Sequence, residues 1–181
     1  MKHKVLTLLS LVLILSVLSG CAGSVKTPAA EPADRLGKIQ SQGVLTVAVS
    51  PDYPPYEFLS SGKLQGVDIE IANTIAQQLG AKLNIVQADF DSVLSSAANG
   101  SCDLALSAIT YTEEREASLL YSIPYLYPDT EYGYHIPLPE EALYIVSAKD
   151  GNSDTLIAFV NNCIAALQQE GKIIEWYRQY S

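Results

Sequence analysis

Short β-branched runs alternate here with longer segments whose apolar residues recur at helical spacing, and this limits the chain to an α/β fold. Val44 to Val49 reads as a strand that runs into a loop at Ser50-Pro51. Val67 to Leu79 places Val67, Ile71, Ile75 and Leu79 on one helical stripe, with Gly80 as its C-cap. Lys82 to Gln87 reads as the next strand, Asp91 to Asn99 as a second helix ended by Gly100, and Leu104 to Ile109 as a third strand. This alternation predicts an open, mostly parallel sheet built from βαβ units, with helices on both faces. Ligands of such sheets sit beyond the carboxyl ends of the strands. Two segments lie at such ends: the loop after Ser50, and Ser107 to Arg115.

The second segment, Ser107-Ala108-Ile109-Thr110-Tyr111-Thr112-Glu113-Glu114-Arg115, has the chemistry of a small-anion site. Hydroxyls and freed backbone N–H groups leaving a strand can donate, and a guanidinium forks onto a carboxylate through two parallel hydrogen bonds. The alternative is an arginine paired with Glu113, Glu114 or Glu116 on a solvated helix that begins there.

Beyond Arg115 the pattern changes. Six of the 11 tyrosines (Tyr121, Tyr125, Tyr127, Tyr132, Tyr134 and Tyr144) fall in a short region broken by Pro124, Pro128, Pro137 and Pro139. Prolines at that density exclude a long helix and predict extended crossings or turns. Leu143 to Ala148 is one more strand. Asp154 to Gln169 is a helix with Ser153 as its cap and Gly171 beyond its end, and Ile173 to Tyr180 is a last short helix. Cys102 and Cys163 either form one disulfide or stay apart; Cys163 shares a helical face with Leu156, Val160 and Leu167, which suits a small core residue.

The amino-terminal segment reads as a processing signal. Lys2, His3 and Lys4 form a positive region, and Val5 to Val17 form an apolar run too short for a comfortable membrane span. Leu18-Ser19-Gly20-Cys21 resembles the bacterial lipobox, which implies cleavage before Cys21 and lipidation of its thiol. The expected organisation is a signal peptide at 1–20, a lipidated cysteine and flexible tether at 21–35, and a folded lobe at 36–181. The formal net charge is −9, and removal of Lys2 and Lys4 makes it more negative. Such a surface repels nucleic acid and anionic headgroups, so membrane attachment is expected from lipid alone.

Several ordered motifs resemble the extracytoplasmic solute-binding proteins of ABC importers, in the polar amino-acid family. They are the lipobox, Gly43 to Val49, Tyr53-Pro54-Pro55-Tyr56-Glu57-Phe58, Leu64 to Ala72, Asp103 to Arg115, and Ala165 to Tyr177. The resemblance implies one lobe, lobe I, of a type II periplasmic-binding-protein fold. It implies that Arg115 clamps a ligand α-carboxylate, that Ser107 and Thr110 assist, that Tyr53 stacks on the ligand side chain, and that Tyr56 lies nearby. Asp68 is expected to be structural, near a helix start where its charge suits the dipole. Family members close a second lobe over the ligand; here a Tyr/Pro-rich bridge at about 124–142 stands in its place. No residue from Asp129 to Glu141 matches the acidic residue with which the second lobe holds the ligand amino group.

The leading functional expectation is a membrane-anchored, extracytoplasmic amino-acid-binding lobe serving an ABC importer. A lone lobe leaves its ligand half wet, so weak binding is expected unless a permease or a second copy covers the cleft. The alternative is a tethered interaction module, or a vestigial truncated product, with no ligand of its own. Catalysis is not expected, because Glu113 and Glu114 are helix neighbours that do not face each other and His135 stands alone. Neither a cofactor nor a metal is implied: Cys102, Cys163 and His135 lack metal-site spacing.

Overall fold

The structure is a computed structural model that describes residues 34–128 and 138–181. The signal segment, Cys21, most of the tether, and Tyr132, Tyr134, His135 and Pro137 of the bridge lie outside the described residues. In chain order the elements are α1 (Arg35–Gln42), β1 (Val44–Val49), β2 (Asp52–Tyr53), β3 (Glu57–Ser60), β4 (Lys63–Gln65), α2 (Val67–Gln78) and β5 (Lys82–Gln87). There follow α3 (Phe90–Ala98), β6 (Leu104–Thr110), α4 (Glu113–Glu116), β7 (Leu119–Tyr121), β8 (Leu143–Ala148), α5 (Asp154–Gln169) and α6 (Lys172–Tyr180).

The central sheet has the order β5-β1-β6-β8-β7. β1 pairs in parallel with both β5 and β6, while β8 is antiparallel to β6 and to β7. Four strands therefore run one way and β8 alone runs back, which makes this the expected mostly parallel sheet. The reversal follows from the bridge: a short connection from Leu126 returns the chain beside the strand it left, whereas a parallel return needs a full crossover. Tyr125 N–H donates to Leu143 O at 2.9 Å and Leu143 N–H to Leu126 O at 2.9 Å, so the two roots of the bridge are stapled together. Strands β2, β3 and β4 form a small separate sheet beside the site.

Apolar residues fill both faces of the central sheet. On one face Leu45, Val47, Leu104, Leu106 and Ile145 pack with Ile39, Ile71, Ile75, Leu156, Val160 and Ile173, which come from α1, α2, α5 and α6. On the other, Ala48, Ala105, Ile109 and Val146 pack with Val93 and Ala97 of α3. The periodicities of 2 and 3.6 residues in these segments are the cause: each strand or helix must bury its apolar face somewhere.

Two sequence expectations need correction, and one alternative left open is decided. Asp34 and Arg35 belong to the lobe and not to the tether. Asp34 caps α1 by accepting from Gly37 N–H at 2.8 Å, and its other oxygen accepts from Thr155 Oγ1 at 3.0 Å. Arg35 donates from Nη2 to Asp150 Oδ2 at 2.9 Å, from Nε to Ser153 Oγ at 2.9 Å, and from Nη1 to Cys102 O at 3.2 Å. Ser153 does precede α5, but its hydroxyl makes no cap bond to the helix; it accepts from Arg35 and donates to Asp150 Oδ1 at 3.1 Å. Cys102 and Cys163 are both free, because they are buried in core clusters on opposite faces of the sheet. Burial pushes each thiol up to about 11.

Candidate functional site: a tyrosine-walled cleft at the strand ends

The loop after β1 and the end of β6 open onto a cleft of about 670 Å³. Tyr53, Pro54, Pro55 and Tyr56 form one wall, Ala108, Thr110 and Leu143 another, Leu138 to Glu141 a third, and Tyr177 of α6 completes it. The strand ends supply this position: β1 stops at Val49, while its parallel neighbour β6 runs on beside β8 to Thr110. Tyr53 is 57% exposed, while Tyr56 is 4% exposed and rests on Tyr177, with ring centroids 5.8 Å apart. The Tyr53 and Tyr56 rings lie 5.4 Å apart, so Tyr56 backs Tyr53 and leaves the Tyr53 face available. Burial, then the neighbouring Tyr177, holds the Tyr56 hydroxyl far above its ordinary range, and it stays protonated.

Arg115 lies on α4, whose first turn is capped by Thr112 Oγ1 accepting from Arg115 N–H at 3.2 Å. Its guanidinium reaches back to the strand: Nη1 donates to Thr110 O at 3.0 Å and to Thr110 Oγ1 at 3.2 Å. It also stacks over the Phe90 ring, 5.2 Å from the centroid. None of Glu113, Glu114 and Glu116 pairs with it; Glu116 instead accepts from Tyr111 at 2.6 Å and lies 3.7 Å from Lys149 Nζ. The alternative of a solvated helix pair is therefore not what this arginine does. Arg115 borders a second, smaller depression of about 380 Å³ with Asp91, Leu94, Ser95, Ala98, Glu114, Ser118 and Leu119. Thr110 lies between the two, lining the first and bonded to Arg115.

The candidate residues thus divide. Tyr53, Tyr56 and Thr110 come together in the cleft, and Arg115 joins them through Thr110. Ser107 does not line the cleft: it is 3% exposed, and its Oγ accepts from Ser50 N–H at 2.7 Å, tying the end of β6 to the end of β1. Sequence reading missed Phe90 beneath the guanidinium and Leu138 to Glu141 along the third wall. An aromatic at a helix start carries no distinguishing signal, and the bridge offers no periodicity.

It also understated Asp68. This residue is fully buried; its Oδ1 accepts from Tyr125 OH at 2.6 Å and its Oδ2 from Ala108 N–H at 3.0 Å. Beside it lies Glu57, 1% exposed, whose Oε2 finds no donor as a carboxylate. Burial first, and then the Asp68 charge, push Glu57 up to about 12. Burial also raises Asp68, against the hydrogen bonds from Tyr125, Ala108 and Glu57. Among the described residues no three His, Cys, Asp or Glu side chains are grouped to hold a metal ion. No helix there is long and apolar enough to cross a membrane.

Comparison with known proteins places this architecture. The arginine-bound form of domain 1 from TmArgBP superposes with a TM-score of 0.63 at 34% identity, covering 72% of this chain and 98% of that one. A cyclohexadienyl dehydratase from Pseudomonas aeruginosa is 37% identical over 93 residues, 51% of this chain and 35% of the relative. A probable histidine-binding protein from Neisseria gonorrhoeae is 34% identical over 109 residues, 60% of this chain and 38% of the relative. The alignments thus span only a little over a third of these two curated relatives. The family model matches over residues 45–181, and on that match the chain belongs to the bacterial extracellular solute-binding proteins, family 3.

Proposed function

We propose that this chain is a membrane-anchored, extracytoplasmic lobe that binds an amino acid through its carboxylate, for an ABC-type importer. The observation behind this reading is the Arg115 guanidinium, fastened to Thr110 at the cleft wall and paired with none of its acidic neighbours. Its Nε and Nη2 make no hydrogen bond among the described residues, which leaves donors for a carboxylate. Tyr53 supplies an exposed aromatic face for the ligand side chain. The likeness to domain 1 from TmArgBP, an arginine-bound single domain, supports a lobe that binds without a second one.

The segments at 1–20 and 21–33 are proposed as signal peptide and lipid-bearing tether, with Cys21 as the acylated residue. Binding is preferred over catalysis despite the dehydratase relative, because Glu113 and Glu114 are exposed and adjacent on the short α4. An open, half-covered cleft implies weak affinity, with Kd of about 0.1–1 mM, or about −4 to −5.5 kcal/mol.

Calorimetric titration of the full chain with a panel of amino acids, L-arginine first, tests this. Binding in that range, lost at least tenfold in Arg115→Ala and weakened in Tyr53→Ala, is the expected result. No heat with any amino acid at millimolar concentration would refute it and favour a tethered module without a ligand.

A further inference from the structure

Glu57 on β3 and Asp68 in the first turn of α2 bury two carboxyl groups side by side behind the cleft wall. Their other electrostatic neighbours are acidic or phenolic: Asp52 from β2, Tyr56 from the β2–β3 loop, and Tyr125 from the root of the bridge. Two adjacent carboxylates cannot both be ionised in such a setting, and a single proton resolves the conflict. It also resolves the stranded Oε2 of Glu57, since a carboxylic acid can donate where a carboxylate cannot. Asp68 then accepts three hydrogen bonds, from the Glu57 acid, from Tyr125 OH and from Ala108 N–H.

The last of these bonds falls at an unusual place. Ala108 has a φ of +44°, left-handed backbone that alanine adopts only at a cost. The β6–β8 register shifts between Ala105 and Ile109, so this residue forms an irregularity within the strand. Ala108 lines the cleft, directly between Ser107, which ties β6 to β1, and Ile109-Thr110, which leads to Arg115. Its half-buried N–H would lose this partner if Asp68 did not accept from it. Through Tyr125 the same carboxylate holds the point where the bridge leaves the lobe.

We propose that Asp68 is a positioning residue for ligand binding. With Glu57 as its hydrogen-bond donor, it fixes the left-handed kink at Ala108 that sets Thr110 at the cleft wall with Arg115 bonded to it, and it locks the root of the bridge. It touches no ligand itself. The proposal rests on the reading of the cleft as an amino-acid site.

The test compares Glu57→Gln and Asp68→Asn in the full chain, with L-arginine titrated from about pH 4 to 8 and amide exchange followed by mass spectrometry over 104–110. Glu57→Gln keeps a donor to Asp68, so its affinity, pH profile and exchange should match the native chain. Asp68→Asn replaces one accepting oxygen with an N–H₂ that faces at least one of the three donors; affinity should fall at least tenfold, and exchange over 104–110 should rise at least tenfold. Native affinity should also fall in acid, starting above the ordinary aspartate range because Asp68 is raised, and this step should vanish in Asp68→Asn. A general loss of packing would not remove a pH step selectively.

Should Asp68→Asn fail to fold, Glu57→Leu serves instead: it deletes the donor, leaves Asp68 intact, and should give the same losses. Native affinity, pH profile and exchange in a folded Asp68→Asn would overturn the proposal, as would native behaviour of Glu57→Leu. If the native chain binds no amino acid, the cleft reading fails. The exchange comparison then still reports whether Asp68 holds Ala108, so the two failures are distinguishable.

Discussion

The proton held by Glu57 makes stability fall as pH rises, against the usual behaviour of a carboxyl group. Glu57 is buried to 1% exposure and pushed from 4.5 to about 12, so the folded lobe keeps its proton at neutral pH while the unfolded chain releases it. A pKa raised on folding contributes stability that is complete below the unfolded value and drains away as pH climbs toward the folded one. One proton bound only in the folded state gives a slope of about −1.4 kcal/mol per pH unit. That slope requires only that the folded pKa lie above the window, whatever its height. Between about pH 5.5 and 8 the loss is about 3 kcal/mol, a sizeable share of a typical domain's stability.

Among the described residues, the other groups shifted on folding leave this window clear. Asp89, Glu116 and Asp150 are lowered on folding, so their contributions are complete above the ordinary carboxylate range. Cys102, Cys163 and Tyr125 are raised from 9.0, 9.0 and 10.0, and act only in alkali. Asp68 is raised in the same sense, so it can only add to the fall with rising pH. Urea unfolding at half-unit pH steps measures the effect: with an m-value of about 2 kcal/mol/M, the midpoint should drop by about 1.5 M across the window. Glu57→Gln should flatten the curve. A native profile flat to within about 0.5 kcal/mol, or a slope that survives in Glu57→Gln, would refute the shared proton.

Two further substitutions probe the frame. Arg35→Ala removes a guanidinium whose side chain is 11% exposed and which joins Asp150, Ser153 and the Cys102 carbonyl. It should cost about 2–3 kcal/mol by urea unfolding, with only part recovered by lysine, which cannot reproduce the fork. Gly66→Ala should cost about 3 kcal/mol or more and lower the melting temperature by about 10 °C. Gly66 sits at a φ of +127°, and a Cβ there would collide with the Tyr56 carbonyl. A loss below about 1 kcal/mol in either variant would contradict the packing described.

The βα rhythm from Val44 to Ile109 was legible because each segment must present one apolar face, and a face leaves a period in the sequence. Thr110 and Arg115 stood out as donor types at a strand end, and Tyr53 only through the family resemblance; the structure sets Tyr53 and Thr110 in one cleft and bonds Arg115 to Thr110. The hairpin of β3 and β4 and the short β7 left no such trace, since each is too brief to show a period. Cys163 was readable as a core residue from its helical neighbours, whereas Cys102 offered no periodicity to separate it from a disulfide partner.

What the chain's own order of residues determined, then, is the set of elements and the kind of chemistry at their ends, because both depend on neighbours close along the sequence. Tertiary structure alone decided the partners. It ran β8 antiparallel beside β6, drew Arg35 onto Asp150 and Ser153 across more than a hundred residues, and took the Ser107 hydroxyl for β1 instead of a ligand. It also placed Glu57, Asp68, Ala108 and Tyr125 around one proton. Contacts between residues so far apart leave no period behind, and the state of a buried carboxyl depends on everything packed around it.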